Sequence, residues 1–283
     1  MLSKGQSTPK PPLPTLAIVL ITIVLAYLAL VLVIPLVALI YEAFHKGFTP
    51  FLTALGTAEL QSAIKLTLLI ATIVLPVNTI FGLCAAWVLA RHRFPGRALL
   101  LSTIDLPFAI SPVVAGLMIV LLYGRNGWFG EWLTNANIKI IFAWPGMVLA
   151  TLFITLPFVV REVIPVLEDM GTDQEDAAHT LGANDWQTFW HITLPHIRWG
   201  LLYGVLLTNA RAMGEFGAVA VVSGSILGRT QTLPIFVEQA YKNYETEAAF
   251  GSAVILALLA LVTLVLKEVL ERRVGDRHRR STH

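Results

Sequence analysis

The sequence predicts an all-α integral membrane protein with six transmembrane helices and both termini in the cytoplasm. Of its 283 residues 56% are hydrophobic and 13% are charged, whereas a typical soluble domain has about 25% charged residues. Several nearly uncharged stretches are long enough to cross a hydrocarbon core of about 30 Å. These stretches are continuous and do not alternate with a period of two, which favours helices over a barrel.

One transmembrane domain is predicted at 16–270, between a leader at 1–15 and a basic tail at 271–283. The first span is longer than the apolar core of a secretory signal and has no small-residue cleavage site after it, so we interpret it as an uncleaved helix. No gap between spans is long enough for a soluble domain. The six predicted spans are 16–41, 62–90, 99–123, 140–160, 197–222 and 248–270.

The distribution of Lys and Arg predicts the orientation of these spans. Thirteen of these residues fall in the leader, the 91–98 loop, the 161–198 loop and the tail together with Lys267 just before it, whereas six fall on the opposite side. The richer side of a membrane protein faces the cytoplasm. Both termini are therefore expected there, which agrees with an even number of spans.

The rest of the composition excludes several kinds of site. Cys84 is the only cysteine, so the chain can form no internal disulfide and no cysteine-based zinc site. We expect Cys84 to be a small buried side chain and expect no metal site. A net charge of +2 gives no support to nucleic-acid binding.

The longest predicted cytoplasmic loop, 161–198, has the pattern of two short helices joined by a glycine corner. Thr172 and Glu175 have the spacing of a capping box, which predicts the start of the first helix. Gly182 predicts its end. Asn184 or Asp185 then caps a second helix, which the sequence places near the membrane surface. This second helix contains Trp186, Phe189 and Trp190, and Pro195 is predicted to end it.

The loop also contains, in order, Asp176-Ala177-Ala178, Gly182 and Ile192-x-Leu194-Pro195. This pattern resembles the EAA loop of bacterial ABC importer permeases, with the family's spacing throughout and Asp176 where the family usually has Glu. The resemblance implies a helix that docks on a separate ATPase and transmits its motion to the spans. The alternative is an amphipathic hairpin that only anchors the loop. The predicted coupling residues are Glu175, Asp176, Ala177, Ala178, Gly182, Leu194 and Pro195.

Two membrane stretches contain unusual residues for a span. Pro107 and Pro112 interrupt the third span, and Asp105 before them is either the N-cap of the broken half, which we favour, or a pathway residue. In the fifth span Arg211 and Glu215 are four residues apart and so share a helix face. Charged residues in a span are rare, and this pair either lines the pathway or its gate, or is a structural ion pair.

Longer runs, DLPFAISPVVAG and ARAMGEFGAVAVVSGSI, resemble sulfate and thiosulfate permeases of the CysW type. The resemblance implies the type I ABC importer permease fold in a bacterial inner membrane. It also implies a second permease of the CysT type, a CysA-type ATPase dimer and a periplasmic sulfate- or thiosulfate-binding protein. Ser223 and Ser225 are candidate hydrogen-bond donors to the anion near the outer end of the pathway.

The chain is not expected to be an enzyme or to bind a cofactor itself. A phosphate-binding P-loop requires a Gly-Lys pair, which this sequence does not contain. ATP and Mg²⁺ are therefore expected on the partner ATPase. Three alternatives remain: a homodimeric molybdate or tungstate permease, a stand-alone secondary anion transporter, and an intramembrane enzyme, for which we find no catalytic set in the spans.

Overall fold

The computed structural model describes residues 15–45 and 47–281, and in these ranges it contains helices and no strands. Residues 1–14, most of the predicted leader, lie outside the described residues, as do residues 46, 282 and 283. The helices are α1 (Thr15–Phe44), α2 (Phe48–Leu55), α3 (Ala58–Arg91), α4 (Arg97–Ala109), α5 (Pro112–Tyr123), α6 (Gly130–Asn135), α7 (Trp144–Met170), α8 (Asp173–Thr180), α9 (Asp185–Met213), α10 (Gly217–Ser223), α11 (Leu233–Lys242) and α12 (Thr246–Ser281).

Three of these helices are long and apolar enough to cross a membrane unaided: α1, α3 and α7. Two bent pairs pass the same test of length and composition when each pair is taken together, with 110° between α4 and α5 and 51° between α9 and α10. The sixth predicted span lies in α12, whose described apolar part is Thr246–Val262. All six predicted spans thus correspond to helices, but the third and fifth are not straight.

The sharp bend of the third span occurs at Ile110 and Ser111. Pro112 disfavours helical backbone at the preceding residue, and Ser111 is extended, with φ −58° and ψ 136°. Pro107 remains inside α4, so only one of the two prolines breaks the helix. Ser111 occupies the N-cap position of α5. The favoured interpretation of Asp105 as that cap is therefore wrong, because Asp105 lies within α4.

Two other prolines are accommodated by a widened helical turn. The π-helical segments Ala29–Val33 and Phe189–Thr193 each end two residues before a proline, Pro35 or Pro195. A proline lacks an N–H and clashes with the carbonyl four residues earlier, and a π turn changes the spacing of those groups. The prediction that Pro195 ends the second loop helix is wrong, since α9 continues through it to Met213.

The core forms where α3, α7 and α9 pack closely. A Cβ atom placed on Gly82 of α3 would lie 2.7 Å from the Val159 Cβ, and one on Gly204 of α9 would lie 2.9 Å from the Val159 Cα. Small residues at helix interfaces in membranes allow this close approach. One buried apolar cluster lies beside α8 and includes Leu167 and Ile197. The three helices therefore form a closely packed unit next to the predicted coupling segment.

Candidate coupling segment and translocation pathway

The predicted loop 161–198 is shorter in the structure than in the sequence pattern. Residues 161–170 continue α7, and residues 185–198 belong to α9. What remains is α8 with a glycine on each side. Gly182 follows α8 with φ +89°, and a Cβ atom there would meet nothing within 4 Å. Glycine is therefore favoured at position 182 by the left-handed backbone and not by lack of space. This conformation agrees with the predicted glycine corner.

Of the two predicted caps, only the second forms. The Gln187 N–H donates to Asn184 Oδ1 at 2.8 Å, and the Asn184 N–H donates to Gln187 Oε1 at 3.0 Å. Asn184, not Asp185, is thus the cap of α9. Thr172 lies at the N-cap of α8 but makes no side-chain capping bond. The predicted capping box with Glu175 is wrong, because that carboxylate turns towards the helix bundle.

Glu175 is buried and joins α8 to α3 and α9. Its Oε2 lies 2.8 Å from Arg91 Nε. Its Oε1 accepts hydrogen bonds from Arg91 Nη2 at 3.1 Å and from the Thr193 hydroxyl at 2.7 Å. Arg91 Nη1 also donates to the Leu167 carbonyl of α7 at 2.8 Å. One carboxylate and one guanidinium thus connect the predicted coupling segment to three packed helices.

The motif residues of α8 divide between an inner and an outer face. Glu175 and Ala178 are buried, whereas Asp176 and Ala177 are exposed. Leu181, just after α8, is 89% exposed. The outer face therefore presents a carboxylate, a small residue and a leucine to the surroundings. The other two motif residues lie in α9, where Leu194 packs on the apolar cluster and Pro195 is exposed.

Two aromatic residues at the start of α9, Trp186 and Phe189, line a groove against α3. Trp186 and Trp190 have ring centroids 5.6 Å apart, and both side chains are exposed. The groove has a volume of about 560 Å³ and is also lined by Cys84 and Trp87. The expectation that Cys84 is buried is wrong, because its side of α3 faces this groove and is exposed in the single chain.

The two bent spans meet at their breaks. A Cβ atom on Gly217 would lie 2.9 Å from Pro112 Cβ, and one on Gly116 would lie 2.7 Å from the Ala218 carbonyl oxygen. Both contacts are shorter than a real Cβ atom makes, so glycine is needed at each position. The start of α5 therefore packs directly on the start of α10. Broken helices of this kind at membrane depth line cavities or are packed by neighbours.

Arg211 and Glu215 form an ion pair beside this junction. Arg211 Nη1 lies 2.5 Å from Glu215 Oε2. The prediction that the pair shares one helix face is wrong, because α9 ends at Met213 and Glu215 lies in the break. Glu215 Oε1 accepts the Ala218 N–H at 3.0 Å. The Glu215 side chain is 1% exposed and that of Arg211 is 34% exposed, so Arg211 is the accessible partner.

Asp105 pairs with a residue that the sequence analysis assigned to a loop. Arg161 Nε donates to Asp105 Oδ1 at 2.7 Å. The Arg161 guanidinium also lies 5.2 Å from the centre of the Phe108 ring. Arg161 belongs to α7, and its side chain is 58% exposed. Asp105 is thus part of an accessible charged surface between α4 and α7, whereas Glu215 is enclosed.

The predicted serine donors lie at the end of α10. The Ser223 hydroxyl is buried, donates to the Ala220 carbonyl at 3.3 Å and accepts the Ser225 N–H at 3.1 Å. Ser225 has φ +50°. In this arrangement Ser223 stabilises the turn after α10.

Over residues 15–45 and 47–281, no group of three or more His, Cys, Asp or Glu side chains has the arrangement of a metal site.

Sequence reasoning did not identify Arg91, Thr193 or Arg161 as site residues. Arg91 and Arg161 contributed only to the count of positive charges. Arg91 and Glu175 are 84 positions apart, so no local spacing links them. The available signal was the spacing of Glu175 and Ala178, which predicts one inward-facing side of α8.

Comparison with known proteins agrees with this architecture. Residues 78–276 match the family described as binding-protein-dependent transport system inner membrane component. The chain is 72% identical over 244 residues to the sulfate transport system permease protein CysW of Synechocystis sp., covering 86% of this chain and 88% of that protein. The corresponding identities are 51% to CysW of Escherichia coli K12, covering 88% and 86%, and 40% to its CysT, covering 87% and 89%.

A solved structure shares the fold at low sequence identity. It is a chain of a bacterial alginate ABC transporter in complex with an alginate pentasaccharide-bound periplasmic protein. The TM-score is 0.77 at 17% identity, and the match covers 92% of this chain and 94% of that chain. This likeness supports the predicted fold of a type I ABC importer permease.

Proposed function

The chain belongs to the family of binding-protein-dependent transport inner membrane components, among its CysW-like sulfate permeases, and on this premise we propose that it is the permease subunit of an ATP-driven sulfate or thiosulfate importer. Relatives at 72% and 51% identity are named sulfate permeases, which favours sulfate over molybdate or tungstate. The observation that carries the proposal is the division of α8 into a face anchored in the bundle and a face open to a partner.

The outer face of α8 is the proposed contact with a CysA-type ATPase dimer, which would hold ATP and Mg²⁺. Asp176 offers a charge, Ala177 permits close approach, and the exposed side chain of Leu181 offers an apolar contact. Removing an exposed leucine side chain from water at a contact with a partner contributes favourable free energy to binding. In this proposal ATP binding moves the coupling segment, the spans tilt, and the pathway opens to the periplasm.

The pathway would lie between this chain and a second permease of the CysT type. The 40% identity to a CysT protein supports two subunits of the same fold. A periplasmic sulfate- or thiosulfate-binding protein would deliver the anion, with both termini of this chain in the cytoplasm of a bacterial cell and its spans in the inner membrane. Arg211 can attract an anion, while its pairing with Glu215 limits the affinity, as release of cargo requires.

Uptake of labelled sulfate tests this proposal. Cells lacking their own subunit would be complemented with this chain, with the second permease and the binding protein present and the ATPase either present or deleted. We expect sulfate uptake only when the ATPase is present. An excess of thiosulfate should inhibit this uptake, whereas molybdate at the same concentration as thiosulfate should not. Uptake that survives deletion of the ATPase would indicate a secondary transporter, and uptake of molybdate alone would reject sulfate as the cargo.

A further inference from the structure

We infer that Arg91, Glu175 and Thr193 form a transmission network that makes α8 move as one body with α3, α7 and α9. This inference rests on the proposed function, because it concerns how motion of an ATPase reaches the spans. The three residues are positioning residues, and nothing in the EAA-like pattern assigns Arg91 or Thr193 a part in coupling. If α8 were attached only through its two ends, motion of the ATPase could change the backbone angles at the flanking glycines without moving the spans.

The geometry of the network supports rigid attachment. Arg91 donates from Nη2 to Glu175 and from Nη1 to the Leu167 carbonyl, and its Nε lies 2.8 Å from Glu175 Oε2 without the geometry of a hydrogen bond. Arginine presents these donors in a fixed planar fork, so the position of the guanidinium sets the position of the carboxylate. The Thr193 hydroxyl donates a further hydrogen bond to Glu175 at 2.7 Å. The network therefore includes a group from each of the three packed helices: Arg91 of α3, the Leu167 carbonyl of α7 and Thr193 of α9.

Burial makes this attachment costly to open. The Arg91 and Glu175 side chains are 7% and 11% exposed. Separating a buried ion pair leaves an uncompensated charge on each side, which is strongly unfavourable. A load on the outer face of α8 is therefore expected to move the helices before it opens the network. Gly171 and Gly182, which have positive φ, lie at the two ends of α8 and outside the attached face.

The chain offers a matched control a few residues away. Arg97 Nη2 lies 2.9 Å from Glu168 Oε1, and this pair also joins the start of α4 to the end of α7. Its side chains are 33% and 50% exposed, and neither contacts Glu175. Exposed ion pairs of this type contribute little. Replacing Arg97 by Lys keeps the positive charge of the loop, as does replacing Arg91 by Lys.

The first test compares ATP hydrolysis with anion transport in the complete complex, reconstituted in proteoliposomes. In Arg91→Lys and Thr193→Val we expect the ATP hydrolysed per sulfate transported to rise about fivefold, the lower end of the range for typical coupling free energies. Arg97→Lys should keep the wild-type ratio. If hydrolysis and transport fall in parallel in Arg91→Lys, with the ratio unchanged, the network only stabilises the fold and the inference is wrong.

The second test needs no transported anion. Spin labels on Thr172→Cys at the N-cap of α8 and Arg93→Cys after α3, in a Cys84→Ser background, would report the distance between the two elements. In the complex this distance should stay constant with and without ATP, and Arg91→Lys should make it change with nucleotide. A wild-type distance that changes with ATP would overturn the inference. Failure of the wild-type complex to transport sulfate would instead reject only the proposed cargo.

Discussion

At the scale of single residues, adjacent acidic groups of α8 have opposite environments. Glu175 is buried against Arg91 and Thr193, while Asp176 is exposed. Both are among the predicted coupling residues, although the EAA-like pattern itself contains only Asp176. On a helix, neighbours point about 100° apart, so one acid can position α8 while the other meets a partner.

The Arg211–Glu215 pair should respond unequally to loss of either partner. Arg211→Ala leaves the enclosed carboxylate of Glu215 without a counter-charge, and we expect a loss of about 3 kcal/mol in stability. Glu215→Gln should cost less, because Arg211 is 34% exposed and the amide oxygen can still accept the Ala218 N–H. Thermal unfolding of the purified variants measures the difference. Equal destabilisation, or a larger effect of Glu215→Gln, would contradict this account of the pair.

At the scale of elements, the two faces of α8 can be separated by thiol labelling. In a Cys84→Ser background, Ala177→Cys should react with a soluble maleimide and become protected when the ATPase binds. Ala178→Cys is the matched control, because this adjacent position is buried and should react little in either state. Unchanged labelling of Ala177→Cys on addition of the ATPase would show that this face is not the docking surface.

The junction of the bent spans makes a second prediction at this scale. In Gly116→Ala the new methyl group would lie 2.7 Å from the Ala218 carbonyl oxygen, a backbone atom with little freedom to move. We expect the thermal stability to fall by about 1–3 kcal/mol, as overpacking does. Gly214→Ala is the control, because its nearest contact is at 3.5 Å. If both variants unfold at the wild-type temperature, α5 and α10 do not pack as closely as described.

The sequence pattern predicted the positions of the helices better than the bends between them. Hydropathy located a helix at each predicted span, because the length and composition of an apolar stretch decide whether it can cross a membrane. Pro112 predicted a break in the third span, but the 110° bend depends on packing of α5 against α10, which is remote in sequence. Similarly, the helix end at Met213 could not be read from the spacing of Arg211 and Glu215.

At the scale of the whole molecule, the predicted site residues make contacts between segments that are distant in sequence. Arg91 and Glu175 are 84 positions apart, and Asp105 and Arg161 are 56 apart. A local motif predicted the coupling segment, because its helix, corner and cap are local features. The attachment of that segment to the bundle was not predictable, since long-range ion pairs leave no pattern at fixed spacing.

We propose that α8 and its Gly182 corner couple an ATPase to anion uptake by this chain. Sulfate uptake by complemented cells tests it most directly with Gly182→Asn and Gly182→Pro, compared at equal membrane levels. Asn tolerates the left-handed φ of +89°, whereas Pro fixes φ near −65°. We predict that Asn retains most of the uptake and that Pro abolishes it. Wild-type uptake in the Pro variant would contradict the claim.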